Sequence, residues 1–185
     1  MSEAFARANS YTEEDYYNLP ENVHAELIDG QIYYMAAPSR IHQKILNAVN
    51  NTIFNYLRSK GGPCEVCPAP FSVRLFPEND KNVVEPDISV ICDPGKLTDR
   101  GCTGAPDWIV EVISPGNSSH DYVRKLNLYM DAGVREYWIV DPLSTKIFVY
   151  HLEETSFKAD SYTFQDKIKV YIYDDLWIDF KALGL

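Results

Sequence analysis

The chain switches repeatedly between strand-like and helix-like spacing of its apolar residues, and the switches mark its elements. In YTEEDYYNL, Thr12 is placed to cap a short helix whose first turn is acidic, and the segment ends before Pro20. AELIDGQIYYMA alternates on both sides of Asp29-Gly30, a dipeptide that readily supplies the positive φ angles of a two-residue hairpin turn. From Ser39 to Lys60, Ile41, Ile45, Val49, Ile53 and Leu57 recur every four residues, and Leu46 and Phe54 widen the stripe. That spacing predicts an amphipathic helix, stopped by Gly61-Gly62-Pro63. FSVRLF and VVEPDISVI, separated by the polar ENDKN, predict two antiparallel strands between Glu65 and Ile91. A loop with Pro94, Gly95, Gly101, Gly104 and Pro106 follows.

DWIVEVIS is a compact apolar run of the kind found in the middle of a sheet. Ser118 to Ala132 reads as a helix with Leu126, Tyr129 and Met130 inside and Gly133 as its stop, and REYWIVD reads as a second buried strand. Strand, helix, strand in that order predicts a parallel pair joined by a right-handed crossover. KIFVYHL and IKVYIYDDLWI add further strands, with Asp174-Asp175 at a turn. The fold class is therefore α/β or α+β, a mixed sheet flanked by helices. At 185 residues the chain suits one domain, expected at 11–185 after a loose tail at 1–10.

Composition narrows the picture. With 45% hydrophobic and 24% charged residues the chain has the makeup of a folded globular protein. Its 27 acids against 17 bases, a net charge of −10, argue against gripping nucleic acid with the whole surface. No apolar run is long enough for a membrane helix, and the N-terminus lacks the pattern of a signal peptide, so a cytoplasmic location is expected. In that compartment Cys64, Cys67, Cys92 and Cys102 are expected as thiols. Cys64 and Cys67 have the C-x-x-C spacing of a zinc site, but no second pair accompanies them.

Three carboxylates interrupt apolar strands: Glu26, Asp87 and Glu111. A charge on a buried strand needs a partner, a metal or a wet cleft. Any one of them alone is explained as well by a strand end or an Arg partner; a hard divalent cation would satisfy all three together.

EPDISVI followed by WIVEVISPGNSSHDYVRKLNLYMDAGVREYWIVDP resembles the Uma-two family, a bacterial group of restriction-endonuclease-like proteins in the PD-(D/E)XK nuclease superfamily. The resemblance runs from YTEEDY through the AELIDG hairpin to the closing strands. It implies a restriction-endonuclease-like mixed sheet and a metal-dependent endonuclease acting on DNA with Mg2+ or Mn2+. It also implies that Asp87 and Glu111 are metal ligands, joined by the backbone carbonyl of Val112, and that Glu26 completes the acidic cluster. The superfamily usually carries a Lys two positions after the second acid, where this chain has Ile113. The family pattern shifts that Lys to the next helix, which implies Lys125 as the group that orients or deprotonates the attacking water. Taken alone, a helix Lys more often lies in solvent. Asp121, one helical turn before Lys125, and Tyr129, one turn after it, are accessory candidates, as is His42.

The Ser39–Lys60 helix carries Arg40, Lys44, Arg58 and Lys60 and no acid, so it is a candidate DNA contact and equally the polar face of an ordinary amphipathic helix. DNA is thus expected as a weakly held partner, dependent on metal and salt. A second reading is a catalytically weak or inactive nuclease fold that serves as a binding or assembly module. A homodimer suits either reading. Lys125 separates them: an ammonium turned into the acidic cluster favours an enzyme, one turned to solvent the module.

Overall fold

The computed structural model describes residues 10–114, 119–153 and 156–185, with the side chains of 119–121, 153 and 156 also outside the description. The expected tail therefore lies almost wholly outside the described residues, as does the start of the Ser118 helix.

Local chemistry accounts for the first elements. Helix α1 (Glu13–Tyr17) is closed by a reciprocal cap: the Thr12 hydroxyl accepts from the Asp15 amide, and the Asp15 carboxylate accepts from the Thr12 amide. Strands β1 (Ala25–Ile28) and β2 (Gln31–Tyr34) form the expected hairpin, Asp29 at φ 52° and Gly30 at φ 75° making its turn. Helix α2 (Arg40–Lys60) begins at Ser39, whose hydroxyl accepts from the His42 amide, and ends at Gly61 in the left-handed region.

Its buried face is His42, Ile45, Leu46, Val49, Ile53 and Leu57. Ile41 and Phe54 of the predicted stripe are exposed, because the face that meets the sheet is centred one position on, turning His42 inward.

The region expected to hold two strands holds four short ones: β3 (Glu65–Pro68), β4 (Val73–Arg74), β5 (Val83–Val84) and β6 (Ile88–Ile91). Pro86 lies in the break between β5 and β6, where a residue without an amide hydrogen cannot continue the ladder. The Gly- and Pro-rich loop contains β7 (Leu97–Thr98) and β8 (Gly101–Thr103). Then come β9 (Trp108–Val112), α3 (Ser119–Ala132), β10 (Glu136–Asp141), β11 (Lys146–Glu153), β12 (Ser156–Thr163), β13 (Lys167–Lys169) and β14 (Trp177–Asp179). Strand β12 has no counterpart in the sequence reading; it is an outer strand with mostly exposed residues, so no apolar alternation marks it.

Among the described residues the expected mixed-sheet architecture is present as two six-stranded mixed sheets rather than one, in orders β2-β1-β5-β4-β8-β7 and β12-β11-β10-β9-β6-β3, with β13-β14 as a separate pair. In the second sheet β9 and β10 are parallel, as the strand–helix–strand order predicts, and their other neighbours are antiparallel. Helix α2 packs on one face of this sheet, over Val90, Trp108, Val110, Trp138 and Val140. The opposite face, with Ile109, Tyr137 and Ile139, is covered by Leu128 and Tyr129 of α3 and by residues of the first sheet. Met130, assigned inward from the sequence, is exposed, and Leu128 takes that place. Trp108 and Trp138, both fully buried, meet edge to face at 5.0 Å; each contributes about 2 to 3 kcal/mol through the area it removes from water.

The cysteine expectation is corrected. Cys64 and Cys92 form a disulfide, while Cys67 and Cys102 are free thiols. Strands β3 and β6 pair Glu65 with Ile91, so the next step of the register sets Cys64 beside Cys92. The bond also removes Cys64-Cys67 as a zinc pair. Among the described residues no helix is long and apolar enough to cross a membrane.

Candidate functional site

Glu111 occupies the middle of the apolar run of β9, and strand alternation places it with Ile109 on the face covered by α3. Antiparallel pairing of Ile88 with Val110 brings Asp87, one residue before β6, opposite Glu111. One carboxylate oxygen of Asp87, Oδ2, accepts from the Val112 amide at 2.7 Å and lies 3.0 Å from His42 Nε2. Glu26 comes from the other sheet, its Oε1 accepting from the Glu85 amide at 3.1 Å.

Lys125 joins the two sheets. Its Nζ donates to Glu26 Oε1 at 2.9 Å and to Glu111 Oε1 at 2.8 Å, with only 13% of its side chain exposed. One turn later on α3, the Tyr129 hydroxyl donates to the same Glu111 oxygen at 2.9 Å. Of the acids, His, Lys and Tyr singled out in the sequence, the structure brings together Glu26, Asp87, Glu111, Lys125, His42 and Tyr129. The side chain of Asp121 lies outside the described residues.

Electrostatics follow from this crowding. Burial pushes the Glu111 carboxyl up, Lys125 pulls it down, and the charges of Asp87 and Glu26 push it up again, which leaves it raised to about 7. Burial alone would lower Lys125, but Glu111 and Glu26 outweigh it and hold the ammonium well above its ordinary value. Lys125 is therefore a cation at neutral pH, suited to donating hydrogen bonds rather than to taking a proton. For His42, burial acts downward and is overcome by the hydrogen bond to Asp87 and by the charges of Asp87 and Glu111, so its value is raised. The Tyr129 phenol, buried beside Glu111, is raised strongly and stays a hydroxyl donor.

Whether these residues suit a metal can be judged from the donors. Among the described residues, no three acidic, His or Cys side chains converge closely enough to enclose an ion. A hard cation held by one or two carboxylates and completed by water or substrate oxygens does not require three. Hydrogen bonds within the cluster fall on Oδ2 of Asp87 and Oε1 of Glu26 and Glu111, which leaves one oxygen of each acid for a cation. A cation there would also relieve the repulsion that raises Glu111. Oxygen donors of this kind have the chemistry that a hard divalent cation prefers.

The four bases of α2 are exposed, but two are engaged by the end of the chain: Lys44 donates to the Gly184 carbonyl, and Lys60 pairs with Asp175. Two residues at the rim were missed in the sequence reading. Tyr33 pairs directly with Glu26 across the hairpin, and Arg124 of α3 lies over the Tyr33 ring. The Tyr33 position was available as a signal, because the Asp29-Gly30 turn sets which residues of AELI and QIYY face each other. Glu85, whose amide braces Glu26, was read only as part of a motif.

Comparison with known proteins agrees with this architecture. A crystal structure described as a putative nuclease belonging to DUF820 from Anabaena variabilis superposes with a TM-score of 0.76 at 20% identity, covering 93% of this chain and 96% of that one. The likeness shows the fold. An uncharacterized protein of Synechocystis sp. is 32% identical over 127 residues, 68% of this chain and 65% of the relative's length. The family model described as putative restriction endonuclease, Uma2, matches residues 13–179, from the first helix to the last strand, and the chain belongs to that family.

Proposed function

We propose that the chain is a metal-dependent endonuclease that hydrolyses phosphodiester bonds in DNA. The observation that carries this reading is the position of Lys125, whose ammonium is lodged between Glu26 and Glu111 rather than in solvent. A structural role alone leaves unexplained why Glu26 and Glu111 share one buried base with Asp87 close enough to repel Glu111.

Asp87 and Glu111 would hold Mg2+ or Mn2+, with the Val112 carbonyl beside them. When bound, such a cation supplies Lewis acidity toward the phosphoryl group and makes water a stronger acid. The chain's own residues do the rest. His42 and the Val112 amide fix one oxygen of Asp87, and Tyr129 with Lys125 fixes one oxygen of Glu111. Lys125, held as a cation, donates hydrogen bonds to water and to the charge that develops on phosphate oxygen. Water adds to phosphorus as the bond to the leaving oxygen breaks, leaving a hydroxyl on one strand end and a phosphate monoester on the other.

Arg40 and Arg58 of α2 are the DNA-contact candidates that form no ion pair among the described residues; Lys44 and Lys60 would first have to leave Gly184 and Asp175. We place the protein in the cytoplasm with its DNA, where the Cys64–Cys92 disulfide would be an exception to the usual reduced state of thiols. A two-fold dimer would present two such clusters to a duplex, which light scattering would reveal.

The test is incubation of supercoiled plasmid with the protein and magnesium or manganese, beside Asp87→Ala and Lys125→Ala. Cleavage by the natural chain alone supports the reading. Cleavage that survives Asp87→Ala removes it, and a calorimetric titration in which manganese does not bind removes the metal. A nuclease fold acting only as a binding module would retain DNA in a shift assay and cut nothing.

A further inference from the structure

A phosphate must approach the carboxylates against their charge. Glu26, Asp87 and Glu111 bring three acids to one place, and Lys125 is already shared between two of them. DNA therefore needs a cation that borders the cluster without being consumed by it. Helix α2 is poorly placed to supply one. Arg40 and Lys44 each stand two residues from His42, roughly 200° around the helix axis from the face that His42 turns to Asp87.

Helix α3 does supply one. Arg124 is the residue before Lys125 and is exposed. Its guanidinium carbon lies 5.2 Å from the centre of the Tyr33 ring, and its NH1 donates to the Tyr33 hydroxyl. Tyr33 is itself fixed. It stands directly opposite Glu26 in the β1–β2 ladder, so ring and carboxylate share a face, and its hydroxyl donates to Gln31 Oε1 at 2.8 Å. The ring thus holds Arg124 beside the residue that holds Lys125. The support is a neutral aromatic face, and among the described residues no carboxylate pairs with Arg124. Its charge and its remaining N–H donors stay available, in a planar group whose fork matches two phosphate oxygens.

We propose that Arg124, seated on Tyr33, is this chain's phosphate clamp, holding the DNA backbone at the rim formed by the β1–β2 hairpin and α3, next to the carboxylates. The proposal rests on the nuclease reading for its substrate. It assigns the main backbone contact to α3 rather than to the basic face of α2.

Fluorescence anisotropy of a labelled DNA duplex, titrated with the full chain in calcium buffer across a potassium chloride series, tests it apart from cleavage. Arg124→Ala is expected to weaken binding about tenfold and to reduce the slope of log affinity against log salt by about 0.9, the value of one phosphate contact. Arg124→Lys should restore the slope but only part of the affinity, since an ammonium lacks the planar stack. Tyr33→Phe should lose less than Tyr33→Leu. Unchanged melting of Arg124→Ala would show that the fold is intact. If the natural chain binds and cuts while Arg124→Ala matches it in affinity and slope, the clamp is wrong and the nuclease reading stands. Binding that depends on Arg124 without cleavage under magnesium keeps the clamp and removes the nuclease. No binding by the natural chain overturns the clamp.

Discussion

Glu111 and Glu136 lie on adjacent parallel strands, both are buried, and their surroundings differ in kind. Register pairs Glu111 with Ile139 and Glu136 with Trp108, so the two acids point to opposite faces of one sheet. Glu136 is fully buried and surrounded by neutral donors: its Oε1 accepts from the Trp138 indole at 2.6 Å, and its Oε2 from the amides of Tyr171 and Ile172 at 2.7 and 2.9 Å. Those bonds tie the segment before β14 to the sheet. Glu111 has donors on one oxygen and two other acids close enough to raise it. Burial alone therefore does not mark a chemical carboxylate. Like charges gathered without full compensation do, because a purely structural site has no reason to keep that repulsion.

Four measurements test the contrast between the two glutamates. Glu111→Gln preserves an acceptor for Lys125 and Tyr129 while removing a ligand charge. Plasmid cleavage is expected to fall about a thousandfold, with little change in the urea midpoint, since repulsion is lost with the charge. Glu136→Ala leaves the indole and two amides without their acceptor and should cost about 3 kcal/mol in urea unfolding, while cleavage per folded molecule is retained. The contrast fails if the two outcomes are exchanged.

Lys125→Met strips Glu26 and Glu111 of their shared counter-charge. A stability loss of about 2 to 3 kcal/mol together with a roughly hundredfold loss of cleavage is expected, placing it between the two glutamates in character. Stability without cleavage would make Lys125 purely chemical, and cleavage without stability purely structural.

The smallest effect is one of pH. Burial pushes the Glu136 carboxyl up, against the pull of the Tyr171 and Ile172 amides and the Trp138 indole. The folded chain then keeps that proton to higher pH than the unfolded chain, whose glutamate releases it near 4.5. This contribution to stability falls as pH rises from there to the raised value and is level above it. Urea unfolding at stepped pH should show a flatter profile for Glu136→Gln, and an unchanged profile would assign the slope elsewhere.

The hairpin was legible because Asp29-Gly30 carries its own turn chemistry, and the β9–α3–β10 unit because buried runs and a helical stripe follow one another in the chain. Glu26, Asp87 and Glu111 stood out as charges interrupting apolar strands; Glu136 escaped notice in REYWIVD, where it stands near the strand's beginning.

Information local to the chain tells which residues turn, which alternate, and which acids need a partner. Periodicity tells that a residue is covered but not by what. Packing of the layers is what sends the two halves of VVEPDISVI to different sheets, brings Cys64 to Cys92, satisfies Glu136 with the amides of Tyr171 and Ile172, and seats Arg124 on Tyr33 at the edge of the acids. The disulfide, the Glu136 bonds and the Tyr33–Arg124 contact join segments far apart in the chain, set by how layers pack, and no local propensity encodes them.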